Sequence, residues 1–236
     1  MNKIVALGAR RGARPRSRLG WRRNAFWRKV DALFQSVYSG LSVSATVGIF
    51  VCVVGPSGAG KDTLLRQAKA KLAGEPGFSF PRRYVTRPPS AHEDHRAISE
   101  ADYAAGLSAG LFALAWRAHG LGYAIGQEVR PALAAGHIVA CNVSREAIVA
   151  AKAHFPRTAT ILVTAPAEVL AARLSARGRD TSIDIDERLA RNQAFADAFA
   201  ADFVIDNSGP AAAAAENLIG LLGALAATAR SIISEA

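Results

Sequence analysis

The string Gly55-Pro56-Ser57-Gly58-Ala59-Gly60-Lys61-Asp62 constrains this chain more than any other stretch. An apolar β-type run, Ile49 to Val54, precedes it, and an amphipathic segment, Thr63 to Leu72, follows it. A G-x-x-x-x-G-K string held between a strand and a helix is a phosphate-binding loop. Its glycines let the backbone curl so that successive N–H groups point inward at an anion, and the helix adds the positive end of its dipole. Lys61 then reaches the β- and γ-phosphates as a point charge. The expected nucleoside-triphosphate site comprises Gly55, Pro56, Ser57, Gly58, Ala59, Gly60, Lys61, Asp62 and Thr63.

One position departs from the general pattern. Residue 62 should be Ser or Thr, whose hydroxyl helps to hold Mg²⁺, and it is Asp62, with Thr63 one place later. Two readings follow. A carboxylate in a first helical turn is favoured by the dipole alone, by some tenths to about 1 kcal/mol. It is also a hard oxygen donor of the kind Mg²⁺ prefers, which makes Asp62 the candidate metal residue. One group can do both.

The net charge of +10 is unevenly placed. Ten Lys and Arg and a single acid, Asp31, fall within the first 31 residues, and the remaining 19 basic and 18 acidic residues leave the body at +1. A nucleic-acid role would rest on the tail alone, and none is expected. Residues 1–20 carry five arginines among Gly, Pro and Ser without the apolar centre of a secretory signal, so disorder is expected there. From Trp21 to Tyr38 apolar residues recur at helical spacing with basic residues between them. Such a helix packs on its own protein or a partner more often than on an anionic membrane, the minority reading. Oligomeric state is not legible. Cys52 and Cys141 sit in apolar runs without disulfide or metal spacing, which suits a reducing cytoplasm.

The chain therefore divides into a basic extension, 1–47, and a body, 48–236. In the body, strands are expected at 49–54, 80–86, 111–116, 122–126, 138–143, 159–164 and 203–205. Helices are expected from 63, from Ser99, and at 128–135, 145–153, 167–177, 184–200 and 210–233. Strands alternating with helices predict an α/β fold, a parallel sheet flanked by helices. Ligands should gather outside the carboxyl ends of its strands, where the phosphate loop lies. The stretch 87–126 reads as a small insertion that binds the acceptor, and 177–187 as a lid. No uninterrupted apolar run near 18 residues appears, so no membrane span is expected.

Phosphoryl transfer needs fixed positive charge besides Lys61. Arg82, Arg83 and Arg87 surround the end of the expected second strand, and Arg173, Arg177, Arg179, Arg188 and Arg191 punctuate a polar hinge between two helices. Arg177 and Arg188, flanking the hinge, are the arginines expected to close over the phosphates. Any single arginine also suits a solvated helix face.

Gly55–Leu65, Thr86-Arg87-Pro88, the Phe112…Tyr123 block and Arg177-Gly178…Arg188-Leu189 fall in the order seen in the guanylate kinase-like family of P-loop kinases, which the chain resembles. Within that family it looks most like the ribose 1,5-bisphosphate phosphokinases. The echoes are Gly60-Lys61-Asp62, Val85-Thr86-Arg87-Pro88, Glu93-Asp94-His95, Leu114 to Leu121 and Asn142-Val143-Ser144-Arg145. The resemblance implies a kinase using ATP and Mg²⁺ to convert ribose 1,5-bisphosphate to 5-phosphoribosyl 1-diphosphate. It also implies a place in phosphonate use or a salvage route to that product.

Arg87 and Tyr123 are expected to bind an acceptor phosphate. Glu93 and Asp94 suit ribose hydroxyls, because carboxylates only accept hydrogen bonds, and suit a solvated acidic loop equally well. His95 and His119 are candidates for phosphate or sugar, with a structural role the stronger reading for each. Asn142 and Ser144 are placed to orient acceptor or metal-bound water, with turn formation as the competing role. Two departures bear on the acceptor. The Glu that reads guanine in guanylate kinases is replaced by Leu114, and the second phosphate-gripping Arg of their T-R-x-x-R pattern by Ser90. Both disfavour GMP, since a base left unpaired in its pocket costs some kcal/mol. A third departure points the other way: Ala124 stands where the sugar-phosphate kinases carry Gly. A nucleoside-monophosphate kinase and a non-catalytic nucleotide-binding module are the rival readings.

Overall fold

The computed structural model describes residues 48–88, 94–176 and 201–234. The basic extension and the lid expected at 177–187 lie outside the described residues, as do the helix expected at 184–200, Glu93, Arg177 and Arg188.

Strand β1, Ile49–Val54, is buried at every position. Its β-branched and apolar residues suit a strand covered on both faces. It runs through the middle of a parallel sheet of order β2-β7-β1-β8-β9, in which β2 is Phe78–Ser79, β7 Ile138–Asn142, β8 Thr158–Thr164 and β9 Phe203–Asp206. Successive side chains of β1 take opposite faces. Ile49, Val51 and Val53 join a core built with Leu64 and Ala68 of helix α1, Lys61–Lys71. Phe50, Cys52 and Val54 join a second core with Leu114, Trp116, Tyr123 and Ile125. The phosphate loop thus leaves a strand that cannot shift without disturbing both cores.

The second core seats a separate four-stranded sheet of order β4-β3-β6-β5. Here β3 is Arg83–Val85, β4 His95–Ala97, β5 Phe112–Ala118 and β6 Leu121–Gly126. Strands β5 and β6 form a hairpin whose two-residue turn, His119-Gly120, has φ of 52° and 72°. Positive φ at both positions matches the twist of such a hairpin. Helix α2, Glu100–Ser108, starts at Ser99, whose Oγ accepts from the Asp102 amide at 3.0 Å. Its Tyr103 is buried and donates from Oη to the Trp116 carbonyl at 3.1 Å.

The strand expected at 80–86 is confined to Arg83–Val85, and a separate short strand, Phe78–Ser79, lies ahead of it. Phe78–Ser79 pairs with β7, whereas Arg83–Val85 pairs with β4 and β6 of the other sheet. Pro81, between them, has no N–H to give a ladder, and the chain changes sheets there. The helix expected at 145–153 begins as a 3₁₀ turn, Arg145–Ala147, before α4, Ile148–His154. Helix α3 is Val129–Ala134 and α5 is Ala167–Ser175.

The final helix, α6, spans Ala211–Ser234. Its stretch Ala211–Ala229 is long and apolar enough to cross a membrane by length and composition, and half of it is buried inside the fold. Leu218, Leu221, Leu222 and Leu225 are fully buried in the core shared with α1 and β1. That is the packing of a core helix.

Cys52 and Cys141 stand opposite each other on β1 and β7 and are free thiols. Burial pushes the Cys141 thiol up to about 12 and raises Cys52 as well. A buried thiolate is unfavourable, so neither group supplies the reactive form near neutral pH. A disulfide-exchange reagent at pH 8 is expected to label neither cysteine in the native protein and both after denaturation. Labelling of the folded chain at the rate of a free thiol would contradict this packing.

Candidate active site

The loop between β1 and α1 is held open from behind. A Cβ at Gly55 would fall on the Val163 carbonyl oxygen, and one at Gly60 would lie 2.5 Å from Asn207 Nδ2. Gly60, at φ 92°, caps α1 without any side-chain hydrogen bond. The first-turn amides of that helix therefore remain available to an anion. Asn207, 2% exposed, donates from Nδ2 to the Ala59 carbonyl at 2.7 Å, and its own amide donates to the Thr164 carbonyl. The apex of the loop is thus tied to the ends of β8 and β9. Lys61 Nζ donates to the Gly55 and Pro56 carbonyls at 2.7 and 2.9 Å, which places the ammonium over the loop.

Asp62 joins this loop to the other side of the site. Its Oδ1 accepts from Asn142 Nδ2 at 2.9 Å and from Arg83 at 3.3 Å. Oδ2 has no hydrogen bond or ion pair among the described residues. The Arg83 guanidinium lies over the Tyr123 ring, 5.8 Å from its centroid, and that ring stacks on Trp116 at 5.4 Å and 8°. Trp116 Nε1 donates to Ser144 Oγ at 2.9 Å. A continuous set of contacts therefore runs from the phosphate loop through β3, β6 and β5 to the turn after β7. It gathers Asp62, Tyr123, Asn142 and Ser144 into one neighbourhood.

Arg87 follows β3 and lines a cleft of about 440 Å³ with Thr86, Pro88 and the start of α2. Thr86 anchors this wall, accepting at Oγ1 from the Gly122 amide at 2.8 Å. Glu100, also on the cleft, has its carboxyl held below the usual range by Arg117 and then by Thr86. Asp94 is exposed and paired with Arg82 at 2.6 Å and Lys69 at 3.6 Å. His95 is buried in β4, and His119 sits exposed at the hairpin tip, where its backbone makes the turn.

Asn207 is the residue that sequence reasoning missed. In Asp206-Asn207-Ser208-Gly209-Pro210 it reads as turn-forming chemistry, and only the return of β9 beside β8 brings it to the loop. Trp116 was visible in a motif, but its bond to Ser144 spans 28 residues and has no local signature.

No family model matches the chain. The chain is 52% identical over 177 residues to a ribose 1,5-bisphosphate phosphokinase PhnN from Methylobacterium radiotolerans, covering 75% of this chain and 98% of that one. The chain belongs to the ribose 1,5-bisphosphate phosphokinase family. Two other PhnN relatives agree. That of Rhizobium etli is 48% identical over 181 residues, covering 76% of this chain and 92% of its own. That of Thiobacillus denitrificans is 44% identical over 180 residues, covering 76% and 95%. Among solved structures, guanylate kinase from Anaplasma phagocytophilum superposes with a TM-score of 0.58 at 16% identity, covering 76% of this chain and 87% of that one. This PhnN-family chain therefore has the α/β fold of a guanylate kinase-like P-loop kinase.

Asn207→Ala removes the donor that holds the Ala59 carbonyl, and leaving a buried carbonyl unpaired costs about 1–3 kcal/mol. The variant is expected to lose that much stability in a urea titration and to bind ATP more weakly. Unchanged values of both would contradict the bracing role.

Proposed function

We propose that the chain transfers the γ-phosphoryl group of ATP to ribose 1,5-bisphosphate, yielding 5-phosphoribosyl 1-diphosphate and ADP. The observation that carries this reading is the extent of the family match, which spans 98% of a relative named for that activity. The site's chemistry agrees with it. Leu114 is 2% exposed in the apolar cluster with Trp116 and Tyr123, so the position offers no acceptor to a guanine edge.

An oxygen of the acceptor's phosphate is the nucleophile. It is already anionic near neutral pH, so no general base is required. A new P–O bond forms to the γ-phosphorus as the bond to the bridging oxygen of ADP breaks, and the electron pair leaves with ADP. The protein's task is alignment and the suppression of repulsion between two polyanions. Loop amides of residues 55–63 hold the ATP phosphates, and Lys61 reaches their terminal oxygens. Arg87 and Tyr123 bind an acceptor phosphate, and Asn142 and Ser144 orient the sugar beside the loop. Asp94 and His119 extend the acceptor contacts. Beyond the described residues, Glu93 accepts from ribose, and Arg177 and Arg188 close on the transferring group.

The residues present fit Mg²⁺. Asp62 offers a hard oxygen, Oδ2, at the loop, beside the place where the nucleotide phosphates would supply the metal's other oxygens. When bound, the ion neutralises phosphate charge that builds as the bond breaks. The reaction is placed in the cytoplasm, with small molecules as partners and no nucleic acid. The basic extension 1–47 is an appendage to the kinase body, whose insertion, about 87–126, carries the acceptor site.

A coupled ADP-release assay tests the reading. Turnover is expected with ribose 1,5-bisphosphate and not with GMP, AMP or ribose 5-phosphate, and turnover with GMP alone would replace the proposal with a nucleotide kinase. Lys61→Ala is expected to lower kcat by about 100-fold or more. Retention of activity in that variant would remove the loop from the mechanism.

A further inference from the structure

At residue 62 the phosphate-loop pattern has a hydroxyl, and the carboxylate found there brings negative charge to the edge of a site that must accept a polyanion. The side chain of Asp62 is 34% exposed, and that of Arg83, 3.3 Å away, only 10% exposed. Arg83 does not come from the loop or its helix. It arrives from β3 of the second sheet, with its guanidinium over the Tyr123 ring. Asn142 fixes the same carboxylate oxygen from β7, so Asp62 is held in one orientation from two elements. A pair so largely removed from water is screened less than one on the surface.

We propose that Arg83 is a positioning residue whose charge cancels that of Asp62, allowing the loop to bind a nucleoside triphosphate with a carboxylate where a hydroxyl is usual. This rests on the reading of the loop as a triphosphate site and adds to it a requirement from a distant strand. The pairing also makes the nucleotide loop and the acceptor sheet interdependent. Removing Arg83 leaves an uncompensated anion beside the phosphates, and removing the carboxylate as well abolishes the need for the arginine.

The test is a calorimetric titration of the full chain with ATP, with Mg²⁺ and again with a chelator. With the metal chelated, Arg83→Met is expected to raise Kd by about tenfold or more, and adding Asp62→Asn to return it to within about threefold of wild type; with Mg²⁺ the double variant stays weaker, because Asp62→Asn also removes the oxygen assigned to the metal. Lost packing around Arg83 would not be rescued by neutralising another residue. In the chelated titration, wild-type affinity in Arg83→Met, or a double variant as weak as the single one, would overturn the inference while leaving the nucleotide site in place. A wild-type chain that binds no ATP would remove the nucleotide reading and the inference together. If Arg83→Met does not fold, Arg83→Gln takes its place, and the same rescue must appear.

Discussion

A loop that receives a triphosphate must keep several backbone N–H groups directed inward and unpaired with the rest of the protein. Left to itself, such a backbone would find other partners or open to water. The surrounding structure prevents this from three sides. Val163 leaves no room for a side chain at Gly55, Asn207 holds the Ala59 carbonyl, and β1 delivers the loop from between two cores. The parallel sheet is therefore more than a scaffold, because its neighbouring strands end beside the loop and supply its supports.

The second sheet is attached to that loop by charge as well as by packing. Its apolar side chains share a core with Phe50, Cys52 and Val54, and Arg83 reaches out of it to Asp62. Contacts of this kind suit an enzyme that brings two polyanions together. Alignment to a fraction of an ångström governs the rate of an in-line transfer, and a rigid stack such as Arg83–Tyr123–Trp116 resists drift. Ser144, at the far end of the stack, is oriented by the indole N–H.

Much of the fold was legible in order along the chain. Ile49–Val54 and the helix after it announced themselves through composition and glycine spacing, and strands were expected on either side of His119-Gly120. The stretch 80–86 misled because Phe80, Tyr84, Val85 and Thr86 favour strands, while the change of sheet at Pro81 depends on which neighbours offer free edges. Among candidate site residues, the loop and Arg87 were proposed from motif alone. That Asp62 binds Asn142 across 80 residues did not, since a hydrogen bond between a helix and a distant strand leaves no periodic trace.

By itself, the sequence determined that a phosphate loop lies between a buried strand and a helix, and that an α/β body follows it, because those signals are local: glycine placement, a continuous apolar run and helical spacing. Tertiary structure alone decided which side chains serve that loop. Asn207 and Arg83 reach it from 148 and 21 residues away from their partners, and only the order of strands in two sheets brings them within bonding distance. Short-range forces shape the elements, whereas the company each polar group keeps is settled when the elements pack and exclude water.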